Sequence, residues 1–262
     1  MELTPITVNL SESPSELHPY LEGAKLFDSS CSPEARVIFI DKDGGYFLKI
    51  GSVADLAREY EMTRYFHGKG LAARTIAYSF NDRNAYLLTE KLHSDDCTVA
   101  KYLEQPERLA ELLGERLAFL HSLDYAGCPV LNHTERYLLK VKQTMETEQY
   151  DKSHFPDSFG YESAEQAWAV VEKQGHKLKT DTLIHGDYCL PNVILDDWRF
   201  GGFIDLDNGG VGDRHVDLFW GAWTFWFNLK TDKYRDRFFD AYGRDKIDED
   251  ALRLVAACEV FG

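Results

Sequence analysis

Short apolar runs separated by turn residues fill the first third of the chain. Ala24–Phe27, Arg36–Ile40 and Tyr46–Ile50 read as strands, with turns at Ser29–Pro33 and Asp41–Gly45. Ser52 can cap a helix running to about His67, with Leu56, Tyr60, Thr63 and Tyr65–Phe66 near one face. Thr75–Phe80 and Ala85–Thr89 are further strand candidates around the turn signal Asn81–Asn84, and Pro14–Leu21 suits a short helix. After Glu90 the period changes. Leu109, Leu112, Leu113, Leu117 and Leu120 recur at three- and four-residue spacing, which predicts an amphipathic helix over Glu107–Leu123. Helical patterns return over Glu135–Glu148, Ser163–Gly175, Asp213–Leu229, Tyr234–Tyr242 and Asp248–Val260. The pattern predicts an α+β chain: a small β-lobe over residues 1–92 and a larger, mainly helical lobe over 93–262. Ligands are expected in the cleft between such lobes.

One stretch breaks the helical pattern, LIHGDYCLPNVILDDWRFGGFIDLD over Leu183–Asp207. An apolar run enters a loop containing Asp187, with Asn192 five residues on. Two β-like runs follow, Val193–Leu195 and Gly202–Leu206, joined across Asp196–Gly201, where Gly201-Gly202 permits a tight turn. The second run carries Asp205. Kinases use this spacing for phosphoryl transfer: one carboxylate orients a hydroxyl, while an amide oxygen and a second carboxylate hold magnesium against nucleotide phosphates. A Gly-Asp pair alone marks turns everywhere. Three coincident placements are what give this one chemical meaning. A kinase also needs a strand lysine on the phosphates and a helix acid to hold it. Lys49, in YFLKI, and the acids of REYE in the following helix stand in the right order before the loop. Cys189 lacks an evident paired base and reads as a packing residue.

Charge and cysteine usage narrow the partners. The 262 residues carry a net charge of −15, which argues against nucleic acid and suits a cationic small molecule. Five widely spaced cysteines show no metal-binding or disulfide pattern, so reduced thiols in a cytoplasmic protein are expected. No apolar stretch approaches the roughly 18 residues of a membrane span, and no export signal is evident. A monomer or weak homodimer is expected.

LHSLD with Cys128-Pro129 shortly after it, LIHGDYCLPNVIL, GGFIDLDNGGVGDRHVD and the closing CEVF resemble the aminoglycoside phosphotransferase family, most of all its 3'-phosphotransferases. The likeness runs from about Lys25 to the C-terminus. It implies a two-lobed protein-kinase-like fold with ATP, or alternatively GTP, and Mg2+ as cofactors. It also implies phosphate transfer to an aminoglycoside 3'-hydroxyl and hence antibiotic resistance. Asp187 would be the catalytic carboxylate, and Asn192 and Asp205 the magnesium ligands. Glu59 would hold Lys49, Ser32 would lie near the β-phosphate, and Phe47 would stack on adenine. Thr89–Lys91 would offer backbone groups to the adenine edge, with both Thr89 and Lys91 at that junction. Glu259 and Phe261 match the family's C-terminal ending and would bind a polycationic acceptor.

Departures cluster at the acceptor pocket. Cys258 stands where an acid usually precedes the glutamate, and Gly262 extends the chain end. Phe227 and Asn228 occupy places where a helix often contributes acids. Asn208 stands where a basic residue is expected after the magnesium aspartate, beside an extra acid, Asp207. Asp157 is a candidate compensating acid. Three rivals follow: a kinase of another hydroxylated, cationic metabolite; a non-catalytic nucleotide-binding pseudokinase; and a metal-dependent hydrolase.

Overall fold

Six antiparallel strands carry the first part of the chain: β1 (Thr4–Ile6), β2 (Lys25–Asp28), β3 (Arg36–Asp41), β4 (Tyr46–Gly51), β5 (Thr75–Phe80) and β6 (Ala85–Glu90). They are ordered β1-β2-β3-β4-β6-β5. The structure, a computed structural model, describes residues 4–10, 13–31, 35–150 and 160–262. β1 is the strand that the apolar pattern misses, because TPI is too short and polar to stand out from its surroundings.

Alternation along the strands sorts side chains between two faces. Ile38, Ile40, Leu48, Tyr86 and Leu88 share one face and pack with Leu17 and Leu21. Phe39, Phe47 and Lys49 lie on the other. That face is covered in part by α1 (Val53–Gly68), whose Leu56 packs with Ala85 and Leu87. The Ser52 hydroxyl caps this helix by accepting from the Asp55 N–H at 3.2 Å.

The second part is mainly helical: α2 (Pro106–His121), α3 (His133–Thr147), α4 (Ala164–Gln174), α5 (Arg214–Leu229), α6 (Arg235–Tyr242) and α7 (Glu249–Glu259). Ser163, Asp213 and Asp248 cap the N-termini of α4, α5 and α7 with their side chains, so the polar residues at the predicted starts begin the helices they precede. The core here joins Val141, Ala167, Ile184, Val216, Val255 and Phe261. Thr182–Ile184 pairs antiparallel with Gly210–Gly212, which brackets the catalytic-loop candidate between two short strands.

The chain divides into two compact units, Met1–Asp95 with Val193–Asp207 and Asp96–Asn192 with Asn208–Gly262. This corrects the assignment of all of 93–262 to one helical lobe. The hairpin Val193–Asp196/Arg199–Phe203 belongs with the sheet. Phe203 donates its N–H to the Leu71 carbonyl at 2.7 Å and sets its ring edge-on to Phe66. The hairpin turn is also relocated. Asp197 and Trp198 carry it, at φ 45° and 70°, the left-handed pair that matches strand twist in a two-residue hairpin loop. Gly201 and Gly202 sit instead at a bulge within the second strand.

Candidate active site

In the sheet unit the site is built on register. Lys49 lies opposite Leu87 across β4 and β6, on the face that α1 covers. Within α1 the buried stripe runs Leu56, Glu59, Met62, Thr63 and Phe66, so Glu59 is carried under the helix while Glu61 faces solvent. Lys49 Nζ lies 2.8 Å from Glu59 Oε2 and also donates to Asp205 Oδ1. Burial opposes the charge on Lys49, but the two carboxylates outweigh it and hold the ammonium protonated well above its usual range. Burial pushes Glu59 up to about 7; Lys49 opposes that rise, while the charges of Asp205 and Asp207 add to it.

Asp205 is not on a strand. The second hairpin strand ends at Phe203, and Asp205 follows in left-handed backbone, at φ 61°. This corrects the predicted run Gly202–Leu206. Arg58 donates from Nε to the Asp207 carbonyl at 2.8 Å, fixing the backbone just beyond Asp205.

The Lys49 face also carries an aromatic row. Phe39 stands between Phe27, at 6.0 Å, and Phe47, at 5.3 Å between ring centroids. Phe47 is half-buried and lies opposite Thr89 in register. Lys91 N–H donates to the Gly45 carbonyl at 3.0 Å, and its ammonium sits 5.2 Å over Phe39. Ser32 and Asp157, expected to contact phosphate and acceptor, lie outside the described residues.

In the helical unit, the loop around Asp187 is held at both ends. Asn192 Nδ2 donates to the Asp187 backbone carbonyl at 3.0 Å and to Asp187 Oδ2 at 2.8 Å. Asp187 N–H donates to His185 Nδ1 at 3.3 Å, which makes His185 structural support for the loop. The Tyr188 hydroxyl donates to the Leu113 carbonyl at 2.9 Å and anchors the loop to α2. Gly186 adopts φ +88°, and a Cβ there would lie 1.9 Å from the Asn208 carbonyl oxygen. Gly186→Ala is therefore expected to abolish most turnover and to lower Tm by several degrees, read by activity assay and thermal melt.

Asp217 is the functional residue that sequence reasoning passed over. Fully buried in α5, it accepts from the His185 N–H and the Gly186 N–H at 2.7 Å each, and from His121 Nε2 at 3.1 Å. Burial opposes its ionisation, yet these donors hold its carboxyl below the usual range. A carboxylate inside the apolar run HVDLFWGAW was the available signal.

Cys189 is buried, with the Asp187 carboxylate and the Thr224 hydroxyl as neighbours of its thiol. Burial, with the Asp187 charge adding, keeps it a thiol, which excludes a thiolate nucleophile.

Glu259 accepts from the Tyr137 hydroxyl at 2.6 Å. Burial, with the charge of Asp187 adding to it, pushes its carboxyl up to about 7. Phe261, expected to touch the acceptor, is instead fully buried, with Tyr150 and Trp168 edge-on to its ring. It fixes the chain end that carries Glu259. Cys258 is core. Phe227 is 48% exposed and stacks on Trp223, with centroids 4.7 Å apart. Of the aromatic run on α5, Phe225 is core and Phe227 is surface.

Residues 23–255 match the family model described as "Phosphotransferase enzyme family". The chain belongs to this family. A probable aminoglycoside 3'-phosphotransferase of Lactococcus lactis subsp. lactis (strain IL1403) is 50% identical over 260 residues, 99% of each chain. An aminoglycoside 3'-phosphotransferase of Niallia circulans is 29% identical over 220 residues, 82% of this chain and 83% of that one. The crystal structure of an aminoglycoside-3'-phosphotransferase of type VIII superposes with a TM-score of 0.82 at 21% identity, over 96% of this chain and 98% of that chain. An aminoglycoside phosphotransferase from Streptomyces rimosus in complex with ADP and streptomycin gives 0.76 at 19% identity, over 98% and 100%. This phosphotransferase thus has the kinase-like α+β fold of the aminoglycoside enzymes. Among the described residues no helix is long and apolar enough to cross a membrane.

Proposed function

We propose that this phosphotransferase moves the γ-phosphate of ATP to the 3'-hydroxyl of an aminoglycoside. The observation that carries the reaction is the Asp187–Asn192 pair: a half-buried carboxylate whose direction is set by a buried amide at 2.8 Å. The near-full-length identity with the Lactococcus relative supports the acceptor class. Asp187 orients the acceptor hydroxyl and takes its proton as the phosphoryl group departs. Lys49, charged throughout the physiological range, neutralises the α- and β-phosphates, and Glu59 positions it. Phe47 stacks on the adenine, and the backbone at Thr89–Lys91 meets its edge.

The donor chemistry of Asn192, and separately that of Asp205, suits a magnesium ion. The amide N–H groups of Asn192 are spent on Asp187, so its carbonyl oxygen is the atom left to ligate, and one oxygen of Asp205 is free of Lys49. Both are hard oxygen donors. Magnesium, when bound, would neutralise charge on the transferring phosphate.

Glu259 receives an acceptor ammonium group, whose arrival favours the charged carboxylate. Between its ordinary value near 4.5 and about 7, the folded chain keeps a proton that the unfolded chain has lost. Stability from this site is therefore present at low pH and is lost as pH rises through 7. Glu259→Gln is expected to flatten that dependence in thermal melts between pH 5 and 8, by up to about 3 kcal/mol. The same variant should raise KM for cationic acceptors at least ~10-fold. Melts with unchanged pH dependence would remove Glu259 as the titrating group.

A coupled ADP-release assay tests the function. Aminoglycosides bearing a 3'-hydroxyl should turn over, and analogues lacking it should not. A second reading, a kinase of a smaller amino alcohol, is favoured by Phe227, Asn228 and Cys258 at places where pocket acids are expected. Faster turnover of simple amino alcohols than of kanamycin would select it.

A further inference from the structure

Thr224 lies on α5, 1% exposed, with its side chain against the loop that carries Asp187. Its Oγ1 accepts the Leu190 N–H at 3.1 Å and an N–H from Asn228 Nδ2 at 3.2 Å. Asn228, one helical turn on, is held in place because the same amide also donates to the Thr224 backbone carbonyl at 2.8 Å. The Thr224 hydroxyl and the Asp187 carboxylate both neighbour the Cys189 thiol. A hydroxyl has one proton to give and two lone pairs to fill. Both lone pairs are filled here, which leaves the proton to turn toward the Cys189 side.

The Asp187 carboxylate is consequently faced from two sides. Asn192 Nδ2 binds Oδ2 directly, and the Cys189 thiol arrives from the Thr224 side. Asn228, at a place where an acceptor-binding acid is expected, is turned into this brace instead.

We propose that Thr224 is a positioning residue for phosphoryl transfer, acting through Cys189 and Leu190 to aim the Asp187 carboxylate, with Asn228 locking it. This rests on the reading of Asp187 as the catalytic carboxylate. Thr224→Val keeps the volume and removes the hydroxyl, while Thr224→Ser keeps the hydroxyl. ADP release from MgATP is read with kanamycin A and, independently of acceptor identity, as slow hydrolysis to water. Thr224→Val should lower kcat ~10- to 100-fold with KM for ATP and acceptor within ~2-fold, and Thr224→Ser should stay within ~2-fold of the parent. Should Thr224→Val fail to fold, Cys189→Ala carries the test, with a ~3- to 10-fold loss of kcat expected. An unchanged kcat in the tested variant overturns the proposal, as does a Thr224→Ser variant as impaired as Thr224→Val. Asp187→Asn separates the layers. If it too retains turnover, the reading of Asp187 fails; if it alone is inactive, only the role of Thr224 fails.

Discussion

Asp187→Asn is expected to lower kcat at least ~10²-fold, roughly 2.7 kcal/mol of transition-state stabilisation, with the Kd for ATP changed by less than ~3-fold. The substitution is isosteric, so it isolates the charge. The loop is held by Asp217, Tyr188 and Asn192 through backbone atoms and side chains that the change leaves in place. Asparagine can neither take the hydroxyl proton nor oppose the positive character of the attacking oxygen. ATP affinity should survive because Lys49, Glu59 and Phe47 belong to the sheet unit and share no hydrogen bond with Asp187. Equal losses in kcat and ATP affinity would mean that the loop had collapsed. Near-normal turnover would remove Asp187 from the chemistry.

Lys49 was legible in the sequence because a strand lysine before a helix acid is a pattern, and Ser52 marked where that helix begins. Choosing Glu59 over Glu61 took the family likeness, although the stripe Leu56, Glu59, Met62, Thr63, Phe66 gives the same answer once Met62 is counted. The placement of Asp205 was not legible. FIDLD alternates like a strand, and only the Phe203–Leu71 hydrogen bond shows where pairing ends. Glu259 and Phe261 looked alike as chain-end contacts. Position along the last helical turn separates them, one toward Tyr137 and Asp187, the other into the core with Trp168. Asp217 was hidden for the opposite reason. Its value lies in three donors that come from residues about 30 and 100 positions earlier in the chain, which no local window can bring together.

Asp217→Ala is expected to cost about 3–5 kcal/mol, because it leaves two loop N–H groups and the His121 N–H buried without an acceptor. A natural domain has only about 5–15 kcal/mol in total. Tm should fall by roughly 10 °C, and activity should be lost even below the melting range, since Gly186 N–H and His185 N–H set the entry to Asp187. The pH dependence discriminates this from a generic cavity. Asp217 has a depressed carboxyl pKa, so its contribution is present at neutral pH and is lost only as pH falls below the ordinary aspartate range near 3.8. His121, which burial holds neutral, accepts the Tyr242 hydroxyl on Nδ1 at 2.9 Å while donating to Asp217. Protonating it is disfavoured in the folded chain, so stability should also fall as pH drops below about 6.5. Asp217→Ala should therefore be most damaging near neutral pH, with the gap to the parent closing only in strong acid. A gap that stays constant to pH 3 would assign the loss to packing and not to the carboxylate.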